Sequence, residues 1–525
     1  MKHLARHLAL ALWITVLALP AAAQTLRWAG RGDVGSMDPH AFNEGFSDSV
    51  VGHVYEQLAR RARDQRIEPA LAESWTVVDD KTWRFTVRSG VQFSDGTPFT
   101  AADAVFSIER AQQGTSQQAY FARQLGKPVL LDARRFELRL DKPNPLLLEH
   151  QLNVRMMSAA WCKTHGAERV PDFSKKEEAY TSRHAMGTGP FVLDGWQPGV
   201  KVVLVKNPRW WDRFDGNVAR VEYTPIGNDA TRTAALLAGD VDFTHDTPPQ
   251  DTTRLSRQAN VRLHTGPENR VLFFGMDQSR DELLHASVKG RNPFKDLRVR
   301  QAFGLAIDAQ AIRDKTMRGQ SVPTLCPATA GIGCLAAELD QRPAADPERA
   351  RRLLAEAGYP QGFELTLDCP NDRYVNDQAI CVAVAAMLGR VGVTVRVDAR
   401  PKVIFFQKVE RLDTSFYLLG WGGGTTDPQA FLDPIVHRHD AQTKKGEYNY
   451  GRGGSAELDA LIDAAGSDMN AERRRDALAR AQRLAIQQAQ LLPLHRQMIT
   501  WAARRHVTPV VMPDNAVRLQ WVRVE

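Results

Sequence analysis

Beyond its first two dozen positions the chain lacks any run of about 18 uninterrupted apolar residues, so the mature protein is expected to be soluble rather than membrane-spanning. It has no Cys-x-x-C, which argues against a zinc ribbon or a thioredoxin-type redox pair. It has no His-Glu-x-x-His and no Gly-x-Ser-x-Gly elbow. The nearest approach, Gly453-Gly454-Ser455, has Glu457 where the elbow's last glycine should stand, which leaves a secreted hydrolase as a remote alternative. Gly187-Thr188-Gly189 runs into Pro190 and Phe191 without a following Gly-Lys-Ser/Thr, so it reads as a turn rather than a phosphate loop. No internal repeat, low-complexity tract or dense basic stripe occurs, and the last absence argues against a nucleic-acid partner.

What is present is an ordinary globular composition, 43% hydrophobic and 25% charged, over 525 residues. That length exceeds what one core supports, so two or three compact units are expected. Lys2 and Arg6, the apolar run from Leu8 to Leu19 and the small residues Ala21-Ala22-Ala23 have the order of a secretory signal over residues 1–23. Cleavage between Ala23 and Gln24 would leave 66 basic and 61 acidic residues, a mild surplus. No cysteine follows the apolar run, so no lipid attachment is expected, and the location indicated is the periplasm.

Export permits disulfides. Of the five cysteines, Cys326 with Cys334 and Cys369 with Cys381 would close short loops and leave Cys162 over, although other pairings remain open. Trp83, Phe85 and Val87 alternate with polar residues, as do Phe136, Leu138 and Leu140, the period of half-buried strands. A helix is expected from Leu297 to Ile312, and the stretch from Phe363 to Val397 reads strand, helix, strand. Two more helical patterns lie around Leu458–Ala465 and Ala477–Ile486, and Arg473-Arg474-Arg475 reads as a solvated face.

One stretch organises the rest. Phe93-Ser94-Asp95-Gly96-Thr97-Pro98-Phe99 ends a strand in a tight turn, and Thr100 with Asp103 has capping-box spacing before Ala104-Val105-Phe106. With Leu71-Ala72-Glu73-Ser74-Trp75 and Trp83–Arg88 before it, this stretch resembles the signature of extracytoplasmic solute-binding proteins of the peptide, nickel and opine type, family 5, which serve ABC importers. Lys206-Asn207-Pro208-Arg209-Trp210-Trp211-Asp212, Arg298-Val299-Arg300-Gln301-Ala302 and Asp346-Pro347-Glu348-Arg349-Ala350 follow in the family's order. The resemblance implies an α/β, bilobed periplasmic-binding-protein type II fold (cluster C) with a subdomain inserted in lobe I and two interlobe crossings. Residues 24–45, 187–263 and 498–525 would form lobe I, 46–186 the insertion and 264–497 lobe II. Two crossings make a hinge that permits closure on a solute.

The resemblance also implies site residues. Trp421, at the end of a strand before Gly422-Gly423-Gly424, matches the tryptophan that lines the family's pocket. Tyr120 and Arg155 lie where relatives that bind metal complexes present an aromatic ring and an anion-binding arginine. Gly424 stands where peptide-binding relatives place the aspartate that meets the ligand's ammonium, and Asp427-Pro428 aligns with a separate step. His437 and His439 fall where nickel-chelate binders offer a histidine, and His-x-His can present two metal donors. The expected function is capture of a peptide or peptide-like solute for delivery to an ABC permease and ATPase complex, with a nickel or other metal chelate as the alternative guest. A monomer with no cofactor and no catalytic residue is expected.

Overall fold

Two long antiparallel strands, Val261–Met276 and Leu491–Arg504, run through the middle of an 11-stranded sheet in the protein, seen here in a computed structural model that describes residues 24–329, 333–371, 373–422, 425–443 and 445–525. The expected signal segment with Ala23, and Gly424, lie outside the described residues; Gln24 is the first within them. On one side of the long pair come Phe416–Gly422, Glu364–Pro370 and Thr394–Arg400. On the other come Phe243–Thr244, Thr25–Gly30, Arg220–Pro225, Lys201–Lys206 and Phe191–Gln197. The chain therefore passes between two halves twice, once along each long strand. Their pairing breaks register between Pro267 and Val271; a proline has no N–H for the ladder, and a bulge bends the strand.

In the second half the sheet is covered on both faces, which explains the unbroken apolar run Val271-Leu272-Phe273-Phe274. Leu272, Phe274 and Met276 face a core completed by the helices Leu297–Ala306, Pro347–Glu356 and Asp377–Gly389. Val271 and Phe273 face the opposite core, roofed by Ala456–Ser467 and Ala471–Gln487. The helix expected from Leu297 to Ile312 stops at Ala306. Asp308 accepts the Ala311 N–H at 2.8 Å and caps a new helical segment, so a cap residue inside an apolar-periodic run divides it.

A separate four-stranded antiparallel sheet, in the order Ala72–Asp79, Thr82–Val87, Arg135–Arg139, Lys127–Leu130, holds its own core around Phe85, Phe93, Phe136 and Leu138. The helix Ala101–Ala111 packs on it, and Asp103 accepts from both the Thr100 N–H and hydroxyl at 2.9 Å, as the capping spacing requires. The turn before it needs Gly96 at φ 93°, a left-handed conformation that side chains disfavour. Its Ser94 N–H donates to Gly187 O at 2.9 Å, and a Cβ at Gly187 would stand 2.1 Å from Val54 O. The Gly187-Thr188-Gly189 turn is thus a place where backbones touch.

Cys326–Cys334 and Cys369–Cys381 are disulfides, and Cys162 is buried and free. Among the described residues no helix is long and apolar enough to cross a membrane. The arginine run at 473–475 is not wholly a solvated face: Arg474 turns inward, with its side chain only 13% exposed, because a carboxylate lies beneath it.

Candidate functional site

A cavity of about 250 Å³ opens where the strand Phe416–Gly422 ends beside the bend of the long pair. Trp421, opposite Val271 in the ladder, lines it. The indole Nε1 donates to Ala430 O at 2.8 Å and the ring leans on Tyr448 at 4.8 Å between centroids. Half-buried against the core and half facing the cavity, Trp421 serves both. Tyr374, Phe406 and Tyr450 add further aromatic wall.

Two guanidinium groups line the same space. Arg270 leaves the long strand just after its bend and pairs with Glu268 at 3.1 Å, and Glu268 accepts from Gln497 Nε2 of the other crossing strand at 2.6 Å. Arg373 sits in the loop after the strand Glu364–Pro370, where Asp377 accepts the backbone N–H of both Arg373 and Tyr374 at 2.9 and 3.0 Å. That anchorage, with Tyr374 donating its hydroxyl to Gly420 O at 3.2 Å, fixes the loop and leaves the Arg373 side chain free to reach outward. Both guanidinium carbons approach the Tyr374 ring, at 6.0 Å for Arg270 and 5.3 Å for Arg373. Burial lowers the Arg373 pKa, and the neighbouring Arg270 charge lowers it further. Among the described residues no carboxylate lies within ion-pair distance of Arg373.

Other sequence-derived candidates lie around this cavity rather than in it. Tyr120 keeps 58% of its surface exposed, yet burial and then the Asp433 carboxylate and Tyr448 phenol raise its pKa. It is exposed, yet near enough to Asp433 and Tyr448 of the second half to feel their charge. Its ring lies 6.5 Å from that of His150, whose pKa burial lowers to about 4 while Asp427 pulls the other way. Arg61 Nη1 donates to Thr426 Oγ1 at 3.3 Å, a direct bond from the short strand Ala59–Arg61 to the second half. Asp427 is held by Arg474 in a two-pronged pair at 2.6 and 2.9 Å. Arg155 is buried, bonded to the Asp48 carboxylate at 3.2 Å and carbonyl at 2.8 Å, and does not line the cavity.

His437 is buried, its Nδ1 2.6 Å from Arg438 O and its Nε2 3.3 Å from Asp463; His439 lies 3.9 Å from Glu447. Neither lines the cavity, and among the described residues no group of three or more His, Cys, Asp or Glu is placed to hold a metal ion. Arg270, Arg373, Tyr374, Glu410 and Tyr448 line the cavity as well, and sequence reasoning did not single them out. The one available signal for Arg373-Tyr374 was position: the loop at the carboxyl end of a strand in an open α/β sheet, where ligands bind.

The model of bacterial extracellular solute-binding proteins, family 5, middle, matches residues 66–443. The chain is 24% identical over 517 residues to the glutathione-binding protein GsiB of Salmonella typhimurium, covering 97% of this chain and 96% of that one. The fold resembles the dipeptide-binding protein of Pseudoalteromonas sp. SM9913 solved with Met-Leu (TM-score 0.75, 21% identity, 96% of this chain and 100% of that one). It also resembles the ABC transporter substrate-binding protein CtaP of Listeria monocytogenes (TM-score 0.82, 18% identity, 96% and 99%). The architecture is the bilobed α/β type II periplasmic-binding fold, and the chain belongs to family 5 of the bacterial extracellular solute-binding proteins.

Proposed function

We propose that the protein captures a peptide or peptide-like solute by a carboxylate seated on Arg373, and hands it to a membrane permease. Membership of the family makes this chain the solute-binding component of an ABC importer, a binder and not an enzyme. The observation that carries the proposal is the Arg373 guanidinium: it faces an aromatic-walled cavity beside a second guanidinium, without a carboxylate of its own among the described residues. Planar fork-to-fork pairing suits a carboxylate. Trp421, Tyr374 and Tyr448 supply the apolar surface that excludes water from the guest. The glutathione- and dipeptide-binding relatives are consistent with a guest of this kind.

In the same reading, residues 24–45, 187–263 and 498–525 form lobe I with 46–186 inserted in it, and 264–497 form lobe II. The lobes close about the bend near Pro267, the mature chain begins at Gln24 after export, and it works as a monomer. Native mass spectrometry of freshly purified protein tests the guest's identity. A co-purifying peptide or peptide-like acid supports the proposal, whereas a metal with a small organic chelator would replace it with the chelate reading.

A further inference from the structure

Among the described residues, the cavity that holds Arg373 has one carboxylate in its lining, Glu410, at the end of the helix Lys402–Glu410. That position is electrostatically poor, because the C-terminal end of a helix carries partial negative charge and favours a cation. The cation of that last turn, Lys408, is turned away, bonded to Asp368 at 2.5 Å and Asp398 at 3.0 Å. Among the described residues no basic group lies within ion-pair distance of Glu410. Three other acids of this region are engaged: Glu268 by Arg270, Asp427 by Arg474 and Asp433 by Lys445 at 3.5 Å. Glu410 stands close to two ring walls, since after burial its charge helps to push the Tyr450 phenol up, and it contributes to the same shift at Tyr448.

Among the described residues, one cavity therefore presents a guanidinium and a carboxylate, neither within ion-pair distance of an opposite charge, between aromatic walls. We infer that Glu410 is the counter-charge for the guest's ammonium group, and that the site takes zwitterionic solutes with a free amine and a free carboxylate. This rests on the carboxylate reading of Arg373 and deepens it. The Tyr448 and Tyr450 rings near Glu410 suit the same cation, because an ammonium is drawn to an aromatic ring as well as to a carboxylate. The free amine becomes a condition of entry. An acylated amine brings no charge to Glu410 and leaves that carboxylate to be desolvated alone, which is costly.

The test uses the full mature chain and two pools: mixed di- and tripeptides with free amines, and the same peptides N-acetylated. Retention is read by native mass spectrometry and equilibrium dialysis for the wild type, Glu410→Gln and Glu410→Asp. The wild type should prefer the free amines by about tenfold or more, a charge-assisted hydrogen bond's worth of discrimination. Glu410→Gln should bring the two pools within about twofold of each other, and Glu410→Asp should keep the preference. Ligand-free melting temperatures should match for all three, since Glu410 is exposed and its carboxylate has no ion-pair partner among the described residues. Equal retention of both pools by the wild type overturns the role of Glu410 while leaving Arg373 standing, and so does a preference that survives Glu410→Gln. Retention of neither pool overturns the peptide reading and this inference together.

Discussion

Arg110 and Asp38 form a two-pronged ion pair, at 2.6 and 3.0 Å, with both side chains fully shielded from solvent. Thr181 donates to the same carboxylate at 2.6 Å, and the Arg110 Nε donates to Ala167 O at 2.9 Å, so few polar valences are left unused. Burial alone would raise the Asp38 pKa; the charge and hydrogen bonds of Arg110 outweigh it, and the net direction is down. Removing one member strands the other's charge. Arg110→Met should cost about 3–5 kcal/mol in urea denaturation, far more than the pair's net contribution, because an uncompensated buried charge is the expensive state.

Stability should fall steeply on mild acidification. Burial holds His40, His53 and His495 at about 3, well below the ordinary 6.5. His40 shows the geometry: its Nδ1 accepts from Arg110 at 3.0 Å, since a guanidinium only donates, and its Nε2–H donates to Arg155 O at 2.9 Å. Between pH 6.5 and 3 the unfolded chain takes up protons that the folded one refuses, so stability present above 6.5 is lost as pH drops. Each histidine contributes a slope of about 1.4 kcal/mol per pH unit. Asp48, raised by burial to about 6 despite Arg155, acts in the opposite sense between about 4 and 6, because there the folded chain holds the extra proton. Chemical denaturation at half-unit pH steps should show a net decline through this window. His495→Gln should flatten it where the folding free energy is measured below pH 6.

Much of the framework was legible because it is written in periods. Trp83, Phe85 and Val87 alternate and are buried together; the stretch Phe363–Val397 forms strand, helix and strand in that order. Short cysteine spacings likewise matched the observed bridges. The break at Asp308 was hidden because apolar spacing continues across it while a single cap decides the outcome. The binding surface was less readable. Trp421 was visible from its place at a strand end, but Arg373 and Glu410 are 37 residues apart in sequence and share a cavity only after the sheet and its helices are assembled. A lone arginine in a loop has no period to announce it, and the partners that hold Asp427 and Arg155 come from distant segments.

Arg373→Ala should weaken binding of the solute recovered with the purified protein by about thirtyfold, near 2 kcal/mol for a lost charge-assisted contact. Isothermal titration calorimetry checks the affinity. The ligand-free melting temperature should be unchanged, because the loop is anchored by backbone bonds to Asp377 and not by the guanidinium. Arg373→Lys should recover only part of the loss, since an ammonium cannot grip a carboxylate with two parallel bonds.

Reduction of the disulfides should destabilise the second half. The Cys326–Cys334 and Cys369–Cys381 bridges span 8 and 12 residues, for which chain entropy gives about 2.5–3 kcal/mol each. A Cys369→Ala/Cys381→Ala pair should lower the melting temperature measurably while leaving Cys162 unreactive in the native state, because burial raises its thiol to about 12.

Gln497 touches two things at once: the Glu268 carboxylate on the neighbouring crossing strand and the Val375 N–H, two residues past Arg373. The loop that carries Arg373 is therefore tied to the bend of the crossing strands through one amide side chain. Under the proposed reading, a carboxylate drawn onto Arg373 bears on that bend through Gln497, so the guest's seat and the hinge share one hydrogen-bonded joint.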